Sequence, residues 1–292
     1  MAEGNRGLAL PAAMCDSRGM SEELKGLTPS EGWAVIHLFY RIDRLRWRAL
    51  TADERSAAIS EASEWLERCS QEDGLQMIPF AGVTKFDVGF TAVHPDVWRV
   101  QQLTQEVAAT AFGACLQPVY SFLSMTEASE YITSELDWTK LLIEEEKLDP
   151  ADPAFGERIQ SLRKRTAMYS ESRLHPSLPD NYPLLCFYPM AKARRDADNW
   201  YRLPFEERKK MMIAHGNAGR RYASRITQLI TTSTGIDDWE WGVTLFSRDL
   251  RAFRDIVYEL RYDPASAIYG LFGEFYIGIR FTPSQLERAL RL

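Results

Sequence analysis

The order in which hydrophobic periodicity switches along the chain constrains the fold most, because a period of two and a period of 3.6 specify different elements. Residues 33–42 are apolar and aromatic, as in a buried strand. Residues 51–69 open with Thr51 and carry Glu54 three positions on, a capping box ahead of a helical run. Short strands are expected over 77–83 and 86–93, a helix from Pro95 to about Phe112, and an apolar strand over 116–125. This is the order βαββαβ, the split βαβ or ferredoxin-like unit.

The same order returns after a polar, charge-rich stretch over 126–180 that includes the run Glu144-Glu145-Glu146. A strand is expected over 184–188, then a helix over 204–222 with Pro204 at its first position and Glu206 and Glu207 in its first turn. Strands over 225–231 and 238–246 are joined at Ser233-Thr234-Gly235. A helix over 249–260 carries Leu250, Phe253, Val257 and Leu260 on one face, and a final strand covers 275–281. Residue echoes support a duplication. Val88-Gly89-Phe90-Thr91 matches Trp241-Gly242-Val243-Thr244, and Asp96-Val97 matches Asp249-Leu250, both at an offset of 153, while Phe39-Tyr40 echoes Phe187-Tyr188. The expected fold is α+β, with two ferredoxin-like domains at 31–130 and 181–292, a flexible tail at 1–30 and a linker at 131–180. Helices cover one face of each sheet, so the other faces must be buried against each other or a neighbour.

Composition excludes several classes of function. The chain has 35 Lys+Arg against 41 Asp+Glu, a net charge of −6, where a genomic nucleic-acid binder normally shows a basic domain. No apolar run approaches the roughly 18 to 20 residues that span a bilayer. Cys15, Cys69, Cys115 and Cys186 form no CxxC pair and are too few for a disulfide framework, which points to a reducing, cytoplasmic setting. Met14 and Met20 leave open where the natural start lies. Dinucleotide, Walker A, HExxH, GxSxG and CxxCH patterns are absent. Gly216-Asn217-Ala218-Gly219-Arg220 falls inside a helical stretch and lacks the Lys-Ser/Thr of a phosphate loop.

Charge is distributed unevenly. Between Tyr188 and Arg225 ten basic residues face four acids, a local net of +6. Arg208, Lys209 and Lys210 read as a solvated helix face. Lys192, Arg194 and Arg195 lie in a turn-rich loop that suits a small polyanion as well as it suits solvent. Of the four histidines, His215 stands on a helix beside Ala214, Gly216, Ala218 and Gly219. A lone histidine on such a face is more often a core or interface residue, but these small neighbours would let a flat ligand approach, and an imidazole there can ligate a haem iron. Trp239 and Trp241 share one face of their strand, and Ile226, Gln228 and Ile230 share one face of theirs. With the basic loop they describe an apolar slot with a cationic mouth, suited to a porphyrin and its propionates.

Several segments together resemble a known family: Phe187-Tyr188-Pro189-Met190-Ala191-Lys192, Asn199-Trp200-Tyr201, His215-Gly216, Gly219-Arg220, Gln228-Leu229-Ile230-Thr231, Asp237-Asp238-Trp239-Glu240-Trp241-Gly242, and Tyr269 with Phe272-Gly273. They are similar to the coproheme decarboxylases of the chlorite dismutase-like superfamily, densely over 180–280 and more loosely before that. The resemblance implies a dimeric α+β barrel fold, assembly as a homopentamer, and a site confined to the second half. It implies that Fe-coproporphyrin III (coproheme) is both substrate and redox cofactor, that hydrogen peroxide is the oxidant, and that haem b is the product. A transient contact with coproporphyrin ferrochelatase would go with that pathway. By motif position His215 resembles the proximal iron ligand, Tyr188 the tyrosine that becomes a radical, Lys192 the propionate-anchoring and proton-relaying lysine, and Gln228 the distal glutamine. Arg173 and Ser266 match propionate-binding residues, and Met190, Trp200, Arg220 and Trp241 line or support the pocket. Chlorite dismutases carry a distal arginine where Gln228 is neutral, which turns the expectation away from chlorite. A chlorite-degrading or peroxidase haem enzyme and a non-catalytic haem-binding or delivery protein are the alternatives.

Overall fold

Strand β1 (Ala34–Ile42) is buried on both faces, and that double burial organises the computed structural model, which describes residues 27–292. The expected tail, apart from its last four residues, and Cys15 fall outside the described residues. Val35 and Phe39 pack into one apolar cluster while Ala34, Ile36, Leu38 and Ile42 pack into another. A strand with apolar residues on both sides needs a layer on each.

The first half continues with α1 (Arg44–Ala49), α2 (Ala52–Gln71), β2 (Gln76–Gly82), β3 (Val88–His94), α3 (Val97–Ala109) and β4 (Leu116–Thr126). Two helices follow, α4 (Glu135–Glu144) and α5 (Pro153–Leu174). The second half contains β5 (Leu184–Lys192), α6 (Phe205–Arg220), β6 (Ile226–Thr232), β7 (Trp241–Ser247), α7 (Leu250–Leu260), α8 (Pro264–Ala267), β8 (Gly270–Phe272), β9 (Tyr276–Arg280) and α9 (Leu286–Leu290). The nine strands form one sheet in the order β7-β6-β4-β1-β3-β2-β9-β5-β8, and β5 also pairs with β7. All strands but β8 therefore close into an antiparallel barrel. The halves are stitched at two seams, Phe80–Gly82 of β2 on β9 and Met125 and Thr126 of β4 on β6.

The barrel interior is aromatic: Phe39, Phe80, Phe86, Phe122, Phe187, Phe246 and Tyr276 pack there with Val35, Ile78 and Leu229. Burying each such ring stabilises the fold by about 2 to 3 kcal/mol relative to exposure. His37 lies among them, fully buried and stacked on Phe187 at 4.1 Å between ring centroids. Outside the first half, α2 and α3 cover the sheet with Ala58, Ala62, Trp65 and Leu66 and with Val100, Leu103 and Val107. Outside the second half, α7 applies Ala252, Phe253 and Ile256 to Cys186, Tyr188, Val243 and Leu245.

The echoes seen in the sequence occupy matching places. Phe39 and Phe187 both point into the barrel. Asp96 and Asp249 cap α3 and α7. Gly89 and Gly242 each lie under a phenylalanine ring, where an added Cβ would come within 2.3 Å of Phe80 and 2.6 Å of Phe122. The capping box of Thr51 and Glu54 starts α2. The structure also departs from the expected elements. The stretch over 126–180 is not mere connection but contains α4 and α5, and α5 buries none of its residues, so it leaves no apolar period to read. The final strand, β9, falls where expected, and an additional short strand, β8, precedes it across Gly273, whose amide donates to Pro189 O at 2.8 Å. Helix α6 begins at Phe205, with Pro204 as its cap.

Candidate functional site

The two halves differ in one respect that matters. Helix α2 buries Ala58, Ala62, Trp65, Leu66 and Cys69, whereas α6, at the same point of the repeat, buries only Lys209. Helix α6 rests on α7 and α8. The wall it turns toward the outer face of the second half carries small residues: Gly216 has only the Arg220 side chain near its open Cβ position, and Gly219 only Gln228 Nε2, at 3.7 Å. Gln228 on β6 thus reaches the α6 wall at Gly219, one helical turn from His215.

His215 stands on this wall. Its Nδ1 lies 2.9 Å from Asp263 Oδ2 and 3.5 Å from Ser266 Oγ. A carboxylate only accepts, so Nδ1 carries a hydrogen, and in the neutral ring this leaves the lone pair on Nε2, the tautomer suited to ligating a metal. Among the described residues no three His, Cys, Asp or Glu side chains are grouped to hold a bare ion. A single imidazole is instead the protein contribution expected for a metal that brings its own macrocycle.

Strand β5 presents Tyr188 and Met190 on its outer face. Tyr188 is stacked on Phe275 at 4.5 Å, and its burial pushes the hydroxyl above the usual phenol range. At the end of β5, the buried Lys192 Nζ donates to Ala265 O at 2.7 Å and lies 4.5 Å from the centre of the Trp200 ring. Burial lowers its ammonium from 10.5 to about 8, opposed by the charges of Asp263 and Glu240. Helix α8 therefore separates Lys192 from His215, with Ala265 on one and Ser266 toward the other.

The remaining expected residues divide between two places. Trp241 Nε1 donates to Glu127 Oε1 at 3.1 Å, and Arg173 Nε donates to Glu127 O at 3.4 Å, so Arg173 and Trp241 meet at a residue of the first half. Burial raises the Glu127 carboxyl. Trp241 is the strand partner of Met190. Arg220 pairs along α6 with Asn217. Trp239 does not share the Trp241 environment: it precedes β7 and packs on the barrel-interior cluster, beside Gly273. Lys209 is not on a solvated face either. It is buried and ion-paired with Asp137 of α4 at 2.5 Å, which docks the α4–α5 hairpin on α6. Glu240, set between two tryptophans in the sequence, is buried and joins Arg194 to the backbone of Lys192. Its only sequence signal was an acid inside an aromatic strand.

An antiparallel α+β barrel closed from two halves, with a carboxylate-paired histidine on a helix outside the second, is a defined class of architecture. The sequence matches the family described as chlorite dismutase over residues 55–281, and the chain belongs to that family. A heme-binding protein from Thermus thermophilus is 34% identical, with 90% of this chain and 96% of that one covered at a TM-score of 0.72. Chlorite dismutase from Candidatus Nitrospira defluvii in complex with imidazole is 16% identical, covering 94% of this chain and 100% of that one at a TM-score of 0.66. A doubly substituted variant of the Nitrospira protein is 17% identical, covering 92% and 99%, at 0.67. These last two show likeness of fold.

Proposed function

We propose that the chain is a coproheme decarboxylase, which uses hydrogen peroxide to turn two propionates of Fe-coproporphyrin III into vinyl groups and so makes haem b. One observation carries the reading: helix α8 links a buried lysine at the end of β5, which also carries Tyr188 and Met190, to a carboxylate-oriented histidine on a helix that buries no apolar side chain. The heme-binding Thermus thermophilus relative supports a haem-type ligand. The residues present fit such a group, because α6 offers a glycine wall and an imidazole of the right tautomer.

His215 Nε2 would hold the iron, and Lys192, Arg173 and Ser266 would take propionates. Lys192 can do so by exchanging Ala265 O for a carboxylate, and an ammonium with a lowered pKa both pairs with an anion and releases a proton. Gln228 supplies a neutral amide on the opposite wall, and Met190, Trp200, Arg220 and Trp241 complete the surroundings. When bound, the iron-porphyrin supplies the redox chemistry with peroxide. The Tyr188 hydroxyl, kept protonated by burial, loses its proton with its electron. The resulting radical takes a hydrogen atom from the propionate β-carbon and becomes a phenol again. A second electron leaves as the bond to the carboxylate breaks, releasing carbon dioxide and leaving the vinyl group. Two electrons and two protons reduce one peroxide to two waters for each propionate. The same reading carries a cytoplasmic homopentamer that meets a coproporphyrin ferrochelatase.

The test is Tyr188→Phe. The variant is expected to bind Fe-coproporphyrin III with the wild-type Soret spectrum and to leave its propionates intact when peroxide is added. Full conversion by the variant would remove the role of Tyr188, and failure of the wild type to bind the porphyrin would overturn the reading as a whole.

A further inference from the structure

Glu240 is a buried carboxylate that the reaction above does not use. Its Oε2 accepts the Lys192 amide at 2.8 Å, its Oε1 accepts Arg194 Nη2, and its own amide donates to Met190 O at 3.1 Å. The residue thus grips the end of β5 at two points, either side of Ala191. Arg194 in turn lies 4.9 Å from the centre of the Tyr201 ring, so an exposed cation and a half-exposed aromatic close over the carboxylate from outside. Lys192 N–H is held on one side of that strand end, while Lys192 Nζ reaches across to Ala265 O on the other.

We propose that Glu240 is the positioning residue for Lys192: its carboxylate fixes the lysine's backbone, and its charge, metered by Arg194, holds the buried ammonium ready for a carboxylate of the substrate. The role of Lys192 toward a substrate carboxylate rests on the decarboxylase reading, whereas the hydrogen bonds that tie Glu240 to the Lys192 backbone and to Arg194 do not depend on it. Two carboxylates act on Lys192, Glu240 before β7 and Asp263 before α8. Asp263 is already engaged by His215. Helix α8 adds a carbonyl dipole at Ala265, Trp200 a ring face, and Arg194 a cation one hydrogen bond away through Glu240. Glu240 is therefore the carboxylate through which a neighbouring cation changes the field at Lys192.

A purely structural Glu240 would alter stability and nothing else, whereas a charge-positioning one gives opposite shifts in two variants. The protonation midpoint of Lys192 is read by competitive labelling with acetic anhydride across pH, with peptide mass spectrometry and exposed Lys164 as internal reference. Glu240→Gln keeps an oxygen for the Lys192 amide but removes the charge, and is expected to lower the Lys192 midpoint by about one pH unit. Arg194→Ala strips the cation from Glu240 and is expected to raise that midpoint. Binding of iron-free coproporphyrin III, followed by its fluorescence, should lose its Lys192-dependent part at correspondingly lower and higher pH. Arg194 is exposed, so its variant keeps the test informative even where Glu240→Gln folds poorly. A midpoint unmoved in the folded variants, or moved the same way in both, overturns the proposal. The labelling needs no porphyrin, so its failure is distinct from a wild type that binds no porphyrin, which would count against the decarboxylase reading instead.

Discussion

His37 at the centre of the barrel makes the stability of the protein depend on acid in a calculable way. The ring is fully buried, receives or donates one hydrogen bond at Thr244 Oγ1, 2.8 Å from Nε2, and stacks on Phe187. Its Nδ1 has no partner, and Thr91 Oγ1, on the residue paired with it across β3, has none either. Burial lowers the imidazole from 6.5 to about 3. Between those values the unfolded chain binds a proton that the folded chain refuses, so stability is intact above pH 6.5 and falls as the pH drops toward 3. The loss is about 1.4 kcal/mol per pH unit, hence roughly 3 kcal/mol by pH 4.5. His37→Phe abolishes this titration. At pH 7.5 the variant should be less stable by about 1 to 2 kcal/mol, from a lost hydrogen bond and a larger ring in a packed interior. By pH 4.5 the wild type should have lost that advantage, so the order of stabilities reverses. Urea denaturation of both proteins at the two pH values measures this directly, since the carboxylates contribute equally to each. Stability curves that stay parallel between pH 7.5 and 4.5 would show that His37 is not held neutral and would refute the reasoning.

Two further substitutions test the packing of the barrel and of helix α6. Gly242→Ala places a Cβ 2.6 Å from the Phe122 ring and 3.0 Å from Thr231 Oγ1 inside the barrel, and should cost about 1 to 3 kcal/mol in thermal or chemical denaturation, while an unchanged Tm would mean that β7 and Phe122 are not in this contact. Asp137→Ala leaves Lys209 buried without its ion pair and should cost about 2 kcal/mol, allowing for the partial exposure of Asp137. The same change should raise amide exchange in α4 and α5, and exchange confined to the mutated turn would refute the docking role of the pair.

The parts of the fold legible beforehand were those in which one side chain period decides one element. The strand patterns over β1 to β4 and over β5 to β7, the cap at Thr51, and the offset echoes that include Gly89, Gly242, Asp96 and Asp249 all carry local signatures. Closure of the barrel does not, because it depends on the short seams at Phe80–Gly82 and at Met125 and Thr126, whose residues look no different from others in those strands. Helix α5 escaped because it packs no apolar face. At the site, His215 and Lys192 were visible as a histidine among small residues and a cation in an aromatic loop. Lys209 was misread because sequence neighbours Arg208 and Lys210 suggest a solvated run, and only the fold brings Asp137 to it. Strand parity could not distinguish Trp239 from Trp241, since β7 begins only at Trp241. Glu127 gave no motif, and Glu240 stood only within a motif, with no role of its own; burial beside tryptophan and arginine partners is what makes them significant.

The most direct measurement follows the mass of the porphyrin itself. Purified protein is loaded with Fe-coproporphyrin III, peroxide is added stepwise, and the extracted porphyrin is weighed by mass spectrometry at each step. Two successive losses, each of one carbon dioxide and two hydrogens per peroxide and ending at haem b, are the predicted result. A porphyrin that stays bound with its mass unchanged at every peroxide ratio would contradict the account.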